Sequence, residues 1–371
     1  MNIQITQSPL SDAEKTTLSK VGYVAESERA ATVVIADQEV RHISINDDQV
    51  EILPIAEALK KYVWVQELYF GLIDVNEAEE VQHLARSADT PVGHFIRVKA
   101  GAKLEQPIQS FCLLETPQVR QVLHNITVIE EGAQASVISG SSVADGVHTG
   151  QHTCLCETYL RERARCESLS IEQWAKDVDV MSYDRADVAK SAHCSSNKVM
   201  VSPVRNHCSR TSTTVGEDAT AKDQSIVFAP QGTTRMMEGE IHLRGERAHA
   251  ESLTRMVTAG GTIGNNAMLV GEADDTEGFL GCDGLKLTSD GEILSVPALR
   301  ALSEKSQLSH EASVGMVSEE KLAYLESLGL TEDSANELIV QGFLNLKEQE
   351  MPAPVRETVK DMISAAKSGS M

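Results

Sequence analysis

The sequence predicts a mainly β protein: a solenoid of stacked coils over residues 91–316, preceded by a small α+β region (1–90) and followed by a helical module (317–371). Three observations carry this. Short β-branched runs alternate with turn signals through the middle of the chain, among them Glu131-Gly132, Gly216-Glu217-Asp218, Arg244-Gly245-Glu246 and Asp290-Gly291, and sustained helical periodicity is scarce there. The segments Glu131–Val137, Val215–Ala221 and Arg244–Ser252 repeat one degenerate unit, a charged glycine turn leading into alternating small residues; the last two begin 29 residues apart. Aromatics make up only 4% of a chain whose apolar residues are dominated by Val, Ile, Leu and Ala, which suits thin stacked strands. A β-sandwich is the competing architecture, and it favours longer, more aromatic strands.

The flanks read differently. Before the solenoid, Ala31–Ile35 has strand character, while Ile52, Ile55, Leu59 and Tyr62 recur at helical spacing. After it, Ser318 is placed to cap a run through Leu322, Leu325 and Leu328, stopped by Gly329. Thr331 caps the next run, with Glu332 and Asp333 suiting the positive helix end ahead of Leu338, Ile339 and Phe343. A third amphipathic run, 355–366, follows Pro352 and Pro354. The spare apolar stripe of this module either packs on itself or docks a partner.

Charge and cysteine content narrow the function. Of the 371 residues, 33 are Lys or Arg and 55 are Asp or Glu, giving a formal net charge of -22 that repels a phosphate backbone and argues against nucleic acid as a partner. No apolar run reaches the roughly 18 residues that span a bilayer, so no membrane partner is expected. The seven cysteines form an odd set, and no basic-then-apolar signal segment precedes them, so reduced thiols and a cytoplasmic location are expected.

Cys282 lies in the Gly278–Leu285 segment, whose glycines leave little side-chain cover, so an exposed thiolate able to accept sulfur or bind iron is expected; a small buried cysteine is the alternative. His310 and Glu311 follow 28 residues after Cys282, about one coil, and stacked strands lie about 4.8 Å apart. Thiolate, imidazole and carboxylate at one strand edge form a set that can hold iron. His152, Cys154 and Cys156, and the pairs His193-Cys194 and His207-Cys208, match no recognised metal spacing. Two thiols in Cys-x-Cys on a strand share a face, which permits metal binding but equally describes a ladder of small core residues. Asp274-Asp275 reads as a solvated turn. The chain contains no phosphate loop, dinucleotide fingerprint or nucleophile elbow, so any ATP-driven step falls to another subunit.

The sequence resembles the SufB/SufD scaffold family of the SUF iron–sulfur assembly system. The resemblance runs through Gly93–Gly101, Gln106–Ile108, His124–Ala133 and Val296–Leu299, is most specific at Leu308–Gly315, and continues through Glu320–Leu325, Leu328–Leu330 and Ile339–Phe343. It implies a right-handed parallel β-helix whose C-terminal helices dock a SufC-like ABC ATPase. It also implies a transient cluster at a dimer interface: Cys282 matches the family's late cysteine, Glu311 the SufB-side acid and His310 the SufD-side histidine. One chain carrying features of both paralogues points to a homodimer with two ATPase subunits.

The N-terminal Cys-x-x-Cys-x-x-x-Cys motif of some SufB proteins is absent, and no flavin fingerprint accompanies the flavin linked to the family. The sulfur donor stays unassigned. The expected function is a non-enzymatic scaffold that receives persulfide sulfur at Cys282, captures iron with Glu311 and His310, and releases the cluster. A subunit that only organises the ATPase, and a β-helix polysaccharide lyase or hydrolase, are the alternatives; the second lacks an acid cluster on one solenoid face.

Overall fold

The structure, a computed structural model, describes residues 3–5, 9–87 and 89–344. Each coil contributes one strand to each of two sheets. Gln134–Val143, Arg165–Gln173, His193–Met200, Thr220–Pro230, His249–Ala259, Glu277–Lys286 and Gln307–Met316 follow one another in an 11-stranded sheet. Arg120–Ile129, Thr149–Leu160, Asp177–Val188, Asn206–Val215, Thr234–Leu243, Thr262–Gly271 and Glu292–Ala301 do so in a 9-stranded sheet. The pairing is parallel, so the expected parallel β-helix is what the chain forms. Register holds without a slip from coil to coil: Cys166 faces Ala135 and Cys194, and Cys282 faces Thr254 and Ala312. Because strand side chains alternate between faces, this register stacks inward residues on inward residues.

The turn unit seen in the sequence has a specific geometry. Gly132, Arg163, Ser191, Asp218, Arg247 and Asp275 all have positive φ, between 55 and 67°, and recur once per coil. Each of the first five is followed by a fully buried alanine: Ala133, Ala164, Ala192, Ala219 and Ala248. Non-glycine residues resist this left-handed conformation. Here the backbone N–H of four of them donates to a turn carbonyl of the next coil, Arg163 to Lys190, Ser191 to Glu217, Asp218 to Glu246 and Arg247 to Asp274, at 2.8–3.2 Å. A hydrogen-bond ladder along the corner thus offsets the local strain.

The N-terminal region closes one end. Ala31–Ala36 adds in parallel to Ile108–Leu114, and Glu39–Ile45 pairs antiparallel beyond it. Ile52 belongs to the strand Val50–Pro54 rather than to a helix; the helix begins at Ile55 and runs to Lys61. Ile55, Val65 and Leu68 cover Phe95, Ile126 and Val128 of the 9-stranded sheet, and Ile73 and Val81 cover Leu155 and Tyr183. Glu157, fully buried, anchors this cover: its carboxylate accepts from Phe70 N at 2.8 Å, Leu72 N at 2.6 Å and His124 Nε2 at 2.7 Å.

At the other end, Glu292–Ala301 and Gln307–Met316 are the terminal strands of their sheets. Leu294, Val296, Val314 and Met316 are exposed there. The helices that follow, Glu319–Ser327 and Glu332–Leu344, leave this end open: Val340 packs on the flank of the solenoid with Phe228, Val257 and Leu285. Ser318 occupies the expected cap position without a side-chain hydrogen bond, whereas Thr331 Oγ1 accepts from Ser334 N at 3.2 Å. The expected third helical run, 355–366, lies outside the described residues.

Candidate functional site

Two thiol-bearing places emerge, one at the open end and one in the lumen. At the open end, Cys282 sits in the strand Glu277–Lys286 with Leu280 and Gly284 on its face. The expected exposed thiolate is not what forms. Cys282 is 2% exposed, among Met200, Val227, Met256 and Ile263. The neighbouring glycines, which in sequence signalled thin cover, instead admit other side chains: a Cβ on Gly281 would meet Leu253, and one on Gly284 would meet Val314 and Ile293.

The Cys282 thiol is raised above its ordinary value: burial pushes it up most, hydrogen bonding to Ser295 and Asn265 offsets only part of this, and the Asp283 carboxylate adds a smaller upward push. Asn265 Nδ2 lies 3.4 Å from the sulfur and 3.4 Å from Ser295 Oγ.

One coil later, His310 is in register with Leu280, Glu311 with Gly281 and Ala312 with Cys282. Alternation therefore puts His310 on the Cys282 face and Glu311 on the opposite one, where Ser313 Oγ bonds Asp283 Oδ1 at 2.6 Å. Both His310 and Glu311 are exposed. Among the described residues, no three His, Cys, Asp or Glu side chains converge closely enough to hold a metal ion. Among the described residues, one chain thus carries a buried sulfur and an exposed imidazole on one face of the last strand pair of its sheet, and a carboxylate on the other, as an incomplete donor set.

The second place gathers thiols whose spacing in sequence matched no recognised metal pattern. A lumen cavity of about 310 Å³ is lined by Cys112, Cys154, Cys156, Cys166 and Cys194, and extends to Leu280, two residues before Cys282. Cys154 and Cys156 share the inner face as alternation requires, with sulfurs 3.4 Å apart and Asn125 Nδ2 donating to both. Burial pushes the Cys112 and Cys194 thiols up to about 12, and Cys154 is raised first by its hydrogen bond with Cys156 and then by burial. At neutral pH these groups are thiols, weak as nucleophiles and as metal ligands.

Lys198 also faces the cavity, 3.2 Å from Asp184; burial alone lowers its affinity for a proton, but Asp184 and Asp223 more than reverse this, so it stays charged. The register of Cys166 with Cys194 in adjacent coils was the available signal, and it needed the coil length to be read. His207 and Cys208, adjacent in sequence, part company: His207 is buried against Arg235 at 2.6 Å, and Cys208 points to the other face.

The fold and the donor groups define the class of protein: a parallel β-solenoid with a thiol-lined lumen and with sulfur, nitrogen and oxygen donors on its last strands. The sequence model for the SufBD core domain of the SUF system for FeS cluster assembly matches residues 112–343. An iron–sulfur cluster assembly SufBD family protein of Archaeoglobus fulgidus is 31% identical, over 95% of each chain. One of Methanothermobacter thermautotrophicus is 31% identical over 95% of this chain and 87% of its own. The iron–sulfur cluster assembly protein SufB of Bacillus subtilis is 24% identical over 75% of this chain and 61% of its own. The chain belongs to the SufBD family, and membership implies a role in iron–sulfur cluster assembly.

Proposed function

We propose that the chain is a non-enzymatic, cytoplasmic scaffold on which an iron–sulfur cluster is assembled as cargo, at the open end of the β-helix in a homodimer. The incomplete donor set at an uncovered end carries this reading: Cys282 and His310 share a face, Glu311 is exposed beside them, and no closed metal site exists among the described residues of one chain. Unpaired terminal strands bearing Leu294, Val296, Val314 and Met316 are a liability unless covered. A second copy covering them would bring two sets of donors together.

In this scheme the Cys282 thiolate attacks the outer sulfur of a donor persulfide. A new S–S bond forms at Cys282, the donor's S–S bond breaks, and the donor leaves as a thiolate. His310 and Glu311 then add nitrogen and oxygen ligands for iron. Few and mixed ligands make for a labile cluster, which suits transfer. Cys282 is covered in the structure, so loading requires the end to open.

Residues 317–371 form the docking module for a SufC-like ABC ATPase in this reading, supported by the exposed Tyr324, Leu328 and Leu338. ATP-driven movement of that partner would open and close the rim. Flavin finds no support in the residues.

Anaerobic reconstitution of the purified chain with ferrous iron and sulfide tests the proposal. A visible sulfide-to-iron absorbance that survives desalting is expected. A colourless protein would favour the second reading that the buried Cys282 thiol invites, a subunit that organises its ATPase without holding a cluster.

A further inference from the structure

Cys154 and Cys156 project into the lumen from the strand Thr149–Leu160, with their sulfurs 3.4 Å apart. The scheme at the last strands, several coils away, does not use them. Asn125, the in-register neighbour of Cys156, aims its Nδ2 at both sulfurs, 3.3 Å from that of Cys154 and 3.8 Å from that of Cys156. Strand alternation fixes the shared face, and the amide orients the two sulfurs toward one another. Bonds from a metal ion to thiolate sulfur are about 2.3 Å long, so one ion can bridge sulfurs at this separation without backbone movement.

Ligand number and softness decide which ion fits. Among the described residues, no third His, Cys, Asp or Glu completes a metal-holding group with the pair. Zinc and iron take four ligands at thiolate sites and are poorly served by two. Copper(I), a closed-shell monovalent ion, is satisfied by two sulfurs, and soft thiolate ligands select it.

We propose that Cys154 and Cys156 form a copper(I) site inside the lumen, the ion being held by two thiolates that Asn125 orients. Binding exchanges protons for metal: two S–H bonds break, two Cu–S bonds form, both protons leave, and no oxidation state changes. The hydrogen bond to Cys156, and then burial, keep the proton on Cys154, so copper must displace it and the affinity rises with pH. The resulting complex carries one negative charge. Asp184, in register with Cys156, opposes that charge, while Lys198, 3.2 Å from Asp184 in the same cavity, offsets the carboxylate. The Asn125 amide donates to the thiolates themselves, where its hydrogen bonds are strengthened by their charge.

The test titrates the full, reduced chain anaerobically with copper(I) against a chromophoric copper(I) chelator, without iron or sulfide. One tight equivalent is expected at pH 7.5, and tighter binding at pH 8.5. Cys282→Ala and Cys166→Ala/Cys194→Ala should keep this equivalent, and Cys154→Ser/Cys156→Ser should lose it. Asn125→Ala should weaken it about tenfold. X-ray absorption at the copper edge of the 1:1 wild-type complex should show two sulfur neighbours, a reading that does not depend on how well any variant folds. An unchanged tight equivalent in Cys154→Ser/Cys156→Ser would overturn the proposal, as would a copper environment containing nitrogen or more than two sulfurs. Equally tight retention of zinc(II) by the wild type would also overturn it. The outcome is independent of the scaffold role of Cys282, because no cluster forms under these conditions.

Discussion

His310 lies on the same face of the terminal sheet as Cys282, two positions from the residue in register with it, while Glu311 points to the opposite face. The imidazole and the thiol thus share a face within one chain, and the exposed carboxylate lies on the other face. His310→Ala is expected to lower iron retained after reconstitution by at least half, and by more than Glu311→Ala does. Iron per protomer measured after desalting decides it; a larger loss in Glu311→Ala would contradict the assignment by face.

The open end should be a dimer interface. Val296→Glu or Val314→Glu places a charge on the exposed apolar patch, where each buried valine would otherwise contribute about 1.5–3 kcal/mol. Light scattering is expected to give the mass of two chains for the wild type and of one for the variants. A wild-type mass of one chain at micromolar concentration would contradict the homodimer.

Glu157 should hold the N-terminal cover in place. Glu157→Ala leaves Phe70 N, Leu72 N and His124 Nε2 without their acceptor in a buried site, at an expected cost of about 3 kcal/mol. Denaturant unfolding reads the stability change. Limited proteolysis is expected to begin between residues 62 and 86 in the variant, and an unchanged digestion pattern would count against the anchor.

Acidification should destabilise the fold through its buried histidines. Burial lowers His94 and His152 from an ordinary value of 6.5 to about 4. Between these values the unfolded chain binds protons that the folded chain refuses. Stability is therefore unaffected by these groups above about pH 6.5, falls as pH drops toward about 4, and then levels, at about 1.4 kcal/mol per pH unit for each histidine. Unfolding free energy measured at pH 7.5, 6 and 5 checks the slope. His94→Asn and His152→Gln should flatten it.

The solenoid was legible because its turn unit is local: a left-handed residue followed by a buried alanine leaves a trace at Asp218-Ala219 and Arg247-Ala248 that periodicity detects. What was not legible depended on which inward positions stack. Gly281 and Gly284 read as bare backbone beside Cys282, yet in three dimensions they make room for Leu253 and Val314, and the thiol is covered. Asn265 could not be tied to Cys282 without knowing that the two sheets face each other across the lumen. Cys154 and Cys156 could be placed on one face from sequence, as a possible metal pair or as a ladder of small core residues, but joining Cys166 to Cys194 needed the register between coils. Ile52 read as helical because its spacing to Ile55 and Leu59 is shared by a strand that runs directly into a helix.

In the proposed scheme, cluster assembly depends on the Cys282 sulfur and not on the thiols inside the coil. Parallel anaerobic reconstitution of Cys282→Ala and of the double variant Cys154→Ala/Cys156→Ala measures this directly through retained iron and visible absorbance. Loss of the cluster is expected in Cys282→Ala, and its retention in the double variant when free sulfide is supplied. Full cluster yield in Cys282→Ala would contradict it.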